Sequence, residues 1–258
     1  MRHLDLFSGI GGFALATEMV WEKVEHIFCE IDPFCQAVLK KHWPDAKIYG
    51  DIRKLNGRNV GTIDLVTGGF PCQPFSVAGE QRGKEDDRDL WPEMFRVIKE
   101  TKPRWVIGEN VAGFIEMELE RSVSDLEGEG YEVQAFVIPA CAVEAPHRRD
   151  RVWIVAYTDQ YRESAKPFHA KQVQRELAPD PFNKRRKRGV SQEVQGKSRK
   201  PREFAGGYQG WRDGWSISKP RTVGVDDGIP DRTHRIKALG NAIVPQVAAE
   251  IMRCIKNI

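Results

Sequence analysis

Three acidic or glycine-bearing turns and one cysteine loop carry the chemistry of this sequence. Asp5-Leu6-Phe7-Ser8-Gly9-Ile10-Gly11-Gly12-Phe13 ends an apolar run and opens a helical pattern, so its glycines let the backbone approach a ligand. Glu30 follows 19 positions after Gly11, at the end of the next apolar run, where a carboxylate can accept hydrogen bonds from ribose hydroxyls. Asp51 stands in the same relation to a third run and can take a hydrogen bond from an adenine amino group. Together these turns imply a nucleoside. The glycines read G-x-G-G rather than G-x-G-x-x-G, and no G-K-[ST] follows. This shifts weight from a nicotinamide cofactor or ATP toward a nucleoside without a pyrophosphate, such as S-adenosylmethionine; spacing alone leaves the choice open. Beyond a fourth run, Gly69-Phe70-Pro71-Cys72-Gln73-Pro74-Phe75-Ser76 holds a cysteine between two prolines, a poor core position and a good place for a nucleophile.

Positioning these turns requires short strands alternating with helices. Strands are expected at 3–7, 24–29, 48–49, 63–67, 105–108, 132–138 and 152–157, which predicts an α/β domain with a mainly parallel sheet. Leu90, Met94, Val97 and Ile98 repeat at i, i+4, i+7 and i+8, with Pro92 where a first helical turn tolerates it. Val244, Val247, Ala248, Ile251, Met252 and Ile255 mark one face of a closing helix, with Pro245 in its first turn. Three stretches are expected: a core at 1–157, a small basic region at 158–218, and a return to the core at 219–258.

Composition narrows the function classes. The chain has 258 residues, 40% apolar and 30% charged, which suits one well-buried domain with an appendage. No run approaches the ~20 apolar residues of a membrane span, and the first residues lack the layout of a secretory signal; a cytoplasmic protein is expected. The five cysteines include no C-x-x-C pair, so neither a disulfide framework nor a metal site is expected. Between 184 and 202 lie nine basic residues, Lys184, Arg185, Arg186, Lys187 and Arg188 among them, against the single acid Glu193. A mildly acidic body thus carries a basic insert suited to a polyanion.

Taken in order, the motifs resemble those of the DNA (cytosine-5)-methyltransferases. The matching segments are Asp5 to Phe13, Glu30 within Cys29-Glu30-Ile31-Asp32, Gly50-Asp51-Ile52, Gly69 to Ser76, Glu109-Asn110-Val111, His147-Arg148-Arg149-Asp150-Arg151 and Gly240-Asn241-Ala242. The resemblance implies a Rossmann-like S-adenosylmethionine-dependent fold, a mixed, mainly parallel sheet with a small target-recognition insert. It implies Cys72 as the nucleophile that adds to cytosine C6, since C5 is too weakly nucleophilic until the ring is activated. It puts Glu109 at N3 as acid or hydrogen-bond donor, Arg151 at O2, and Arg149 as the residue that orients the site. A free thiol has a pKa near ~8.5, and the two arginines can lower it.

The same resemblance places Phe7, Ser8, Gly9, Ile10 and Gly11 around the methionine part of the cofactor. Glu30 goes to the ribose, Ile31 to the adenine face, and Asp51 and Ile52 to the adenine edge. Pro71, Leu90, Asn241 and Ala242 complete the pocket, and the closing helix is expected beside the first strand. Gln73, Ser76 and the tract from Lys184 to Arg188 are expected to contact DNA, with the target base flipped out of the duplex. Double-stranded DNA is the implied partner, a separately acting restriction endonuclease the implied companion, and a monomer the implied state. One branch of the family acts on tRNA, and a catalytically silent DNA-binding relative is the other alternative. His147 stands where the family often has glutamine, which predicts some pH sensitivity.

Overall fold

The computed structural model describes residues 1–71, 89–158 and 232–257. Among them, seven strands form a single sheet in the order β3-β2-β1-β4-β5-β7-β6. The strands are β1 (Arg2–Leu6), β2 (Glu25–Cys29), β3 (Lys47–Tyr49), β4 (Leu65–Gly68), β5 (Trp105–Val111), β6 (Glu132–Pro139) and β7 (Asp150–Tyr157). The first five run parallel, while β7 pairs antiparallel with both β5 and β6. This is the mixed, mainly parallel sheet of the Rossmann-like methyltransferase fold. All seven expected strands are present; the fourth begins two residues later than its apolar run, with Ile63 buried ahead of the ladder.

Helices cover both faces. They are α1 (Gly12–Glu18), α2 (Pro33–His42), α3 (Trp91–Thr101), α4 (Phe114–Met117), α5 (Leu119–Gly128), α6 (Arg232–Asn241) and α7 (Pro245–Lys256). Local chemistry sets their ends. Asp32 caps α2, its Oδ1 accepting the N–H of Phe34 at 2.8 Å, and Pro33 fills the position where no donor is needed. Lys40, Lys41 and His42 then occupy the last turn, where the helix dipole favours positive charge. In α3 the buried face is Trp91, Met94, Val97 and Ile98, and it joins Leu4, Leu6, Val106 and Ile154 in the larger apolar core.

The opposite face of the sheet is covered by α1 and α7. Phe13 and Ala16 meet Val247, Ala248, Ile251 and Met252 over Leu65, Ile107, Trp153 and Val155. The closing helix packs on α1 and shares one apolar cluster with residues of β4, β5 and β7. On that face β1 contributes buried His3 and Asp5, whereas β5 and β7 contribute Ile107, Trp153 and Val155. The described residues 1–71, 89–158 and 233–257 belong to one compact unit.

Topology gathers the functional turns. Five parallel strands end on the same edge, and antiparallel β7 begins there with Asp150 and Arg151. A crevice outside the carboxyl ends of such strands is where open α/β sheets bind ligands.

Candidate active site and nucleoside cradle

The glycine turn after β1 is built by backbone constraint. Phe7, Gly9 and Gly11 all have positive φ, at 54°, 55° and 87°. At Gly11 a side chain is doubly excluded, because a Cβ would lie 2.4 Å from the Trp43 ring. Above Gly9, by contrast, a Cβ would meet nothing within 4 Å, so the turn leaves open space over its tip. Ser8 faces inward: its Oγ donates to the Asp5 carbonyl at 2.6 Å and accepts from the Cys29 N–H at 3.2 Å. Ile10 is half-buried beside it.

Glu30 ties this turn to the next. Its Oε2 accepts the Gly9 N–H and its Oε1 the Asp32 N–H, both at 2.7 Å. Each oxygen retains a further acceptor position, which is what a ribose diol needs. Gln36 steadies the same loop by donating to the Glu30 carbonyl. Ile31 is 68% exposed beside it, an apolar face available to an aromatic base, whereas Ile52 is 4% exposed within the core. Asp51 accepts the Arg53 N–H at 3.0 Å, and Leu90 and Pro71 are half-buried and exposed on the same rim. The open tip, the paired carboxylate oxygens and the exposed apolar side chain fit the adenosine part of S-adenosylmethionine.

At the other end of the edge the geometry is made by side chains. In the β5–β7 ladder Glu109 faces Trp153 and Val111 faces Arg151, so Glu109 and Arg151 lie diagonally on one face. Their side chains close that diagonal, Arg151 Nε to Glu109 Oε1, at 3.0 Å. Glu109 is 8% exposed, and burial raises its pKa above the usual carboxylate range despite the opposing pull of Arg151 and Arg149. A carboxyl so placed retains its proton more readily than an exposed one, as a general acid requires. Glu109 Oε2 also lies near the start of the cysteine loop, 3.5 Å from where a Cβ on Gly69 would sit.

Arg149, at a positive φ of 40°, turns toward the returning chain. Its Nη2 donates to the Gly240 carbonyl at 2.9 Å and to the Ala242 carbonyl at 2.8 Å. These flank Asn241 at the end of α6, where a cation suits the free carbonyls. Burial, then the like charge of Arg151, lowers the Arg149 pKa. The segment it holds reaches the glycine turn as well, since a Cβ on Gly12 would lie 2.7 Å from Ile243.

The structure thus brings the turn from Phe7 to Gly11, Glu30, Ile31, Asp51, Pro71, Leu90, Glu109, Arg151, Arg149, Asn241 and Ala242 to one edge of the sheet. Cys72, Gln73, Ser76, Lys184, Arg185, Arg186, Lys187 and Arg188 lie outside the described residues. The loop that leads to Cys72 is nevertheless anchored: buried Asn110 donates its Nδ2 to the Phe70 carbonyl at 3.0 Å, and Phe70 packs on Trp91 and Phe114. Asn110 thus has a positioning role that the motif Glu109-Asn110-Val111 signals only by its adjacency to Glu109. Among the other cysteines, Cys29 and Cys35 are buried thiols pushed up to about 12 and about 11, chiefly by burial, and Cys254 is buried too. Cys141 is exposed. No group of residues able to hold a metal ion occurs among those described.

Comparison with known proteins gives the chain's family and its structural neighbours. The family model for the C-5 cytosine-specific DNA methylases matches residues 1–208. Type II methyltransferase M.NgoMIV of Neisseria gonorrhoeae is 36% identical over 164 residues, covering 61% of this chain and 52% of the relative. Type II methyltransferase M.HhaI of Haemophilus parahaemolyticus is 32% identical over 177 residues, covering 65% and 54%. The chain spans about half the length of these curated relatives. Among solved structures, Schizosaccharomyces pombe Dnmt2 methyltransferase aligns with a TM-score of 0.56 at 21% identity, over 75% of this chain and 62% of that one. A Spodoptera frugiperda DNMT2 variant gives 0.55 at 22%, over 65% and 53%. At such identities these two speak for the fold alone.

Proposed function

The chain belongs to the C-5 cytosine-specific DNA methylase family, and from that premise we propose that it transfers a methyl group from S-adenosylmethionine to C5 of a cytosine flipped out of duplex DNA. The observation that carries the proposal is the ion pair of buried Glu109 with half-buried Arg151 beside Gly69, on the edge that also carries the Glu30 cradle. When bound, S-adenosylmethionine supplies an electrophilic methyl group. The chain's own residues do the rest.

The Cys72 thiolate adds to C6 of the ring, forming a C–S bond and pushing electron density toward N3 and O2. Glu109, protonated more readily than an ordinary glutamate, gives its proton to N3 or holds it there by hydrogen bonding. Arg151 faces the charge building on O2 while orienting Glu109. With C6 saturated, C5 is nucleophilic enough to take the methyl group. A solvent water then takes the C5 proton as the C6–S bond breaks and the thiolate leaves, and N3 returns its proton to Glu109, which restores the aromatic ring and the free enzyme. The glycine turn, Glu30 and Ile31 hold the nucleoside, and Arg149 fixes the Gly240–Ala242 wall against the site.

The substrate is double-stranded DNA, with the region at 158–218 as the target-recognition insert between the core at 1–157 and the returning segment at 219–258. If about five basic residues of its tract meet phosphates, log K against log salt slopes at about −4.5. The protein acts as a cytoplasmic monomer that meets the nucleoid through DNA, with a restriction endonuclease acting separately on the same site. No described helix is long and apolar enough to cross a membrane.

The decisive experiment offers labelled S-adenosylmethionine with a 5-fluorocytosine-substituted duplex. A covalent adduct on the peptide containing Cys72 is expected, and bisulfite sequencing of DNA from expressing cells then reads the site. Label appearing in RNA and not in DNA, or an adduct that persists in Cys72→Ala, overturns the proposal.

A further inference from the structure

A row of buried polar side chains beneath the glycine turn takes no part in the chemistry above. Asp5 Oδ1 lies 2.7 Å from Thr67 Oγ1, which lies 2.8 Å from His3 Nε2. His3 Nδ1 lies 3.0 Å from His26 Nδ1. His26 Nε2 reaches Glu18 Oε1 at 3.3 Å, close but without full hydrogen-bond alignment, and Trp43 Nε1 donates to the same oxygen at 2.6 Å. Asp5, His3 and Thr67 have no exposure, and His26 is buried, whereas Glu18 is half open to solvent. Asp5 Oδ2 has no partner at all.

Two arrangements of the same four protons fit these distances. In one, a doubly protonated His26 donates to His3 and toward Glu18, His3 Nε2–H donates to Thr67, and the Thr67 hydroxyl donates to an Asp5 carboxylate. In the other every arrow but the one toward Glu18 is reversed: Asp5 O–H donates to Thr67, Thr67 to His3 Nε2, and His3 Nδ1–H to His26 Nδ1, while His26 Nε2–H still points toward Glu18. The first buries an anion and a cation separated by two side chains, and leaves one carboxylate oxygen bare. The second buries no charge, and the bare oxygen becomes the carbonyl of a neutral acid. Glu18 is the anion in both, at the end that touches water.

We infer that Asp5 is held as a neutral acid by this one-directional chain and acts as a positioning residue for Glu30, keeping it the single anion beside the glycine turn. Ser8 links the two, bonding to the backbone of Asp5 and of Cys29, and Glu30 follows Cys29 directly. Burial lifts Asp5 to about 8 against the counter-pull of the Thr67 hydrogen bond, with the like charge of Glu30 adding a smaller push. Burial likewise lowers His3 and His26, the latter against the pull of Glu18. The groups facing Asp5 are Thr67, His3 and Glu30; those facing His26 are His3, Glu18, Phe28 and Trp43, with His42 behind the indole. The role given to Glu30 rests on the cofactor reading above, but none of the measurements below uses the cofactor.

Nitrogen-15 NMR of the histidine side chains in the wild-type chain tests the direction. His3 is expected as the Nδ1–H tautomer and His26 as the Nε2–H tautomer, both neutral at pH 7; His3 as Nε2–H beside a doubly protonated His26 overturns the inference. Asp5→Asn supplies a neutral donor in the same place. A folded-state pKa raised above the unfolded one gives stability that is lost as pH rises. Wild type should therefore lose ground to Asp5→Asn by up to about tenfold per pH unit in the unfolding equilibrium between about pH 4 and about pH 8. A variant weaker than wild type at every pH, by a margin that widens with pH, means an ionised Asp5. Finally, the Glu30 carboxyl carbon-13 shift should step with Asp5 ionisation in wild type and lose that step in Asp5→Asn. A flat Glu30 titration in wild type removes the positioning role while leaving methyl transfer untouched.

Discussion

The two ends of the sheet edge solve their tasks with different materials. The cradle after β1 and β2 is made of backbone: positive φ at Phe7, Gly9 and Gly11, with two N–H groups aimed at one carboxylate. The catalytic end at β5 and β7 is made of side chains: Glu109 closed on Arg151 across a ladder diagonal, and Arg149 clamped on two carbonyls. A backbone site tolerates little change of shape but asks little of pKa. A side-chain site tolerates change of shape and depends on charge. Substitutions should therefore separate the two, with the catalytic end showing large losses in kcat and the cradle showing losses in cofactor affinity.

Glu109→Gln gives the largest expected effect. It keeps the shape of the acid and removes its proton, so methyl transfer should fall by ~10² to 10⁴ in rate. The Kd for S-adenosylhomocysteine, measured by calorimetry, should stay near the wild-type value. Comparable losses in both quantities would erase the proposed separation.

Gly11→Ala is the counterpart at the cradle. The added methyl meets the Trp43 ring at 2.4 Å and must adopt a φ of 87°, so about 1–3 kcal/mol of strain is expected. Gly9→Ala shares the positive φ but meets nothing, and should cost about 1 kcal/mol or a little more. Thermal unfolding of both variants checks the difference, and equal losses would show that the Trp43 contact yields without cost.

How much of this was legible follows the same division. The backbone end was readable because positive φ recruits glycine, and strand ends announce themselves by an acid after an apolar run, as at Glu30 and Asp51. Seven strands could be read because each is a short apolar run between turns. The side-chain end depended on pairing that no local pattern encodes. Nothing in the sequence says that β7 runs antiparallel to β5, and only that register puts Arg151 within 3.0 Å of Glu109. Arg149 was expected to orient the site near Cys72. Its observed partners are Gly240 and Ala242, 91 and 93 positions away, a contact of tertiary folding alone. The closing helix shows the same division: its apolar face is plain in the sequence, but its partner α1 is set by tertiary packing. The chain of buried histidines was equally hidden, since alternating polar residues in β1 look like a solvent-facing edge until both faces are covered.

Arg149 is where the two ends meet, and substitution there should blur the separation by an intermediate amount. Arg149→Met keeps much of the side-chain bulk but loses both carbonyl contacts, at about 1–2 kcal/mol. The released Gly240–Ala242 segment then loosens the cradle wall, so S-adenosylhomocysteine should bind about tenfold more weakly.

The smallest effect concerns the proton on Glu109, whose pKa is raised by burial and held down in part by Arg149. The sign can be followed directly. Activity that needs protonated Glu109 is present below its pKa and fades as pH rises through it. Removing the Arg149 cation lets that pKa climb further, so the alkaline limb of single-turnover methyl transfer should move to higher pH in Arg149→Met. In Glu109→Gln the limb should vanish from the residual rate, since no proton is left to lose. A limb that stays in place in Arg149→Met and survives in Glu109→Gln belongs to another group that must keep its proton for turnover, and the buried acid then does not set the alkaline side of the profile.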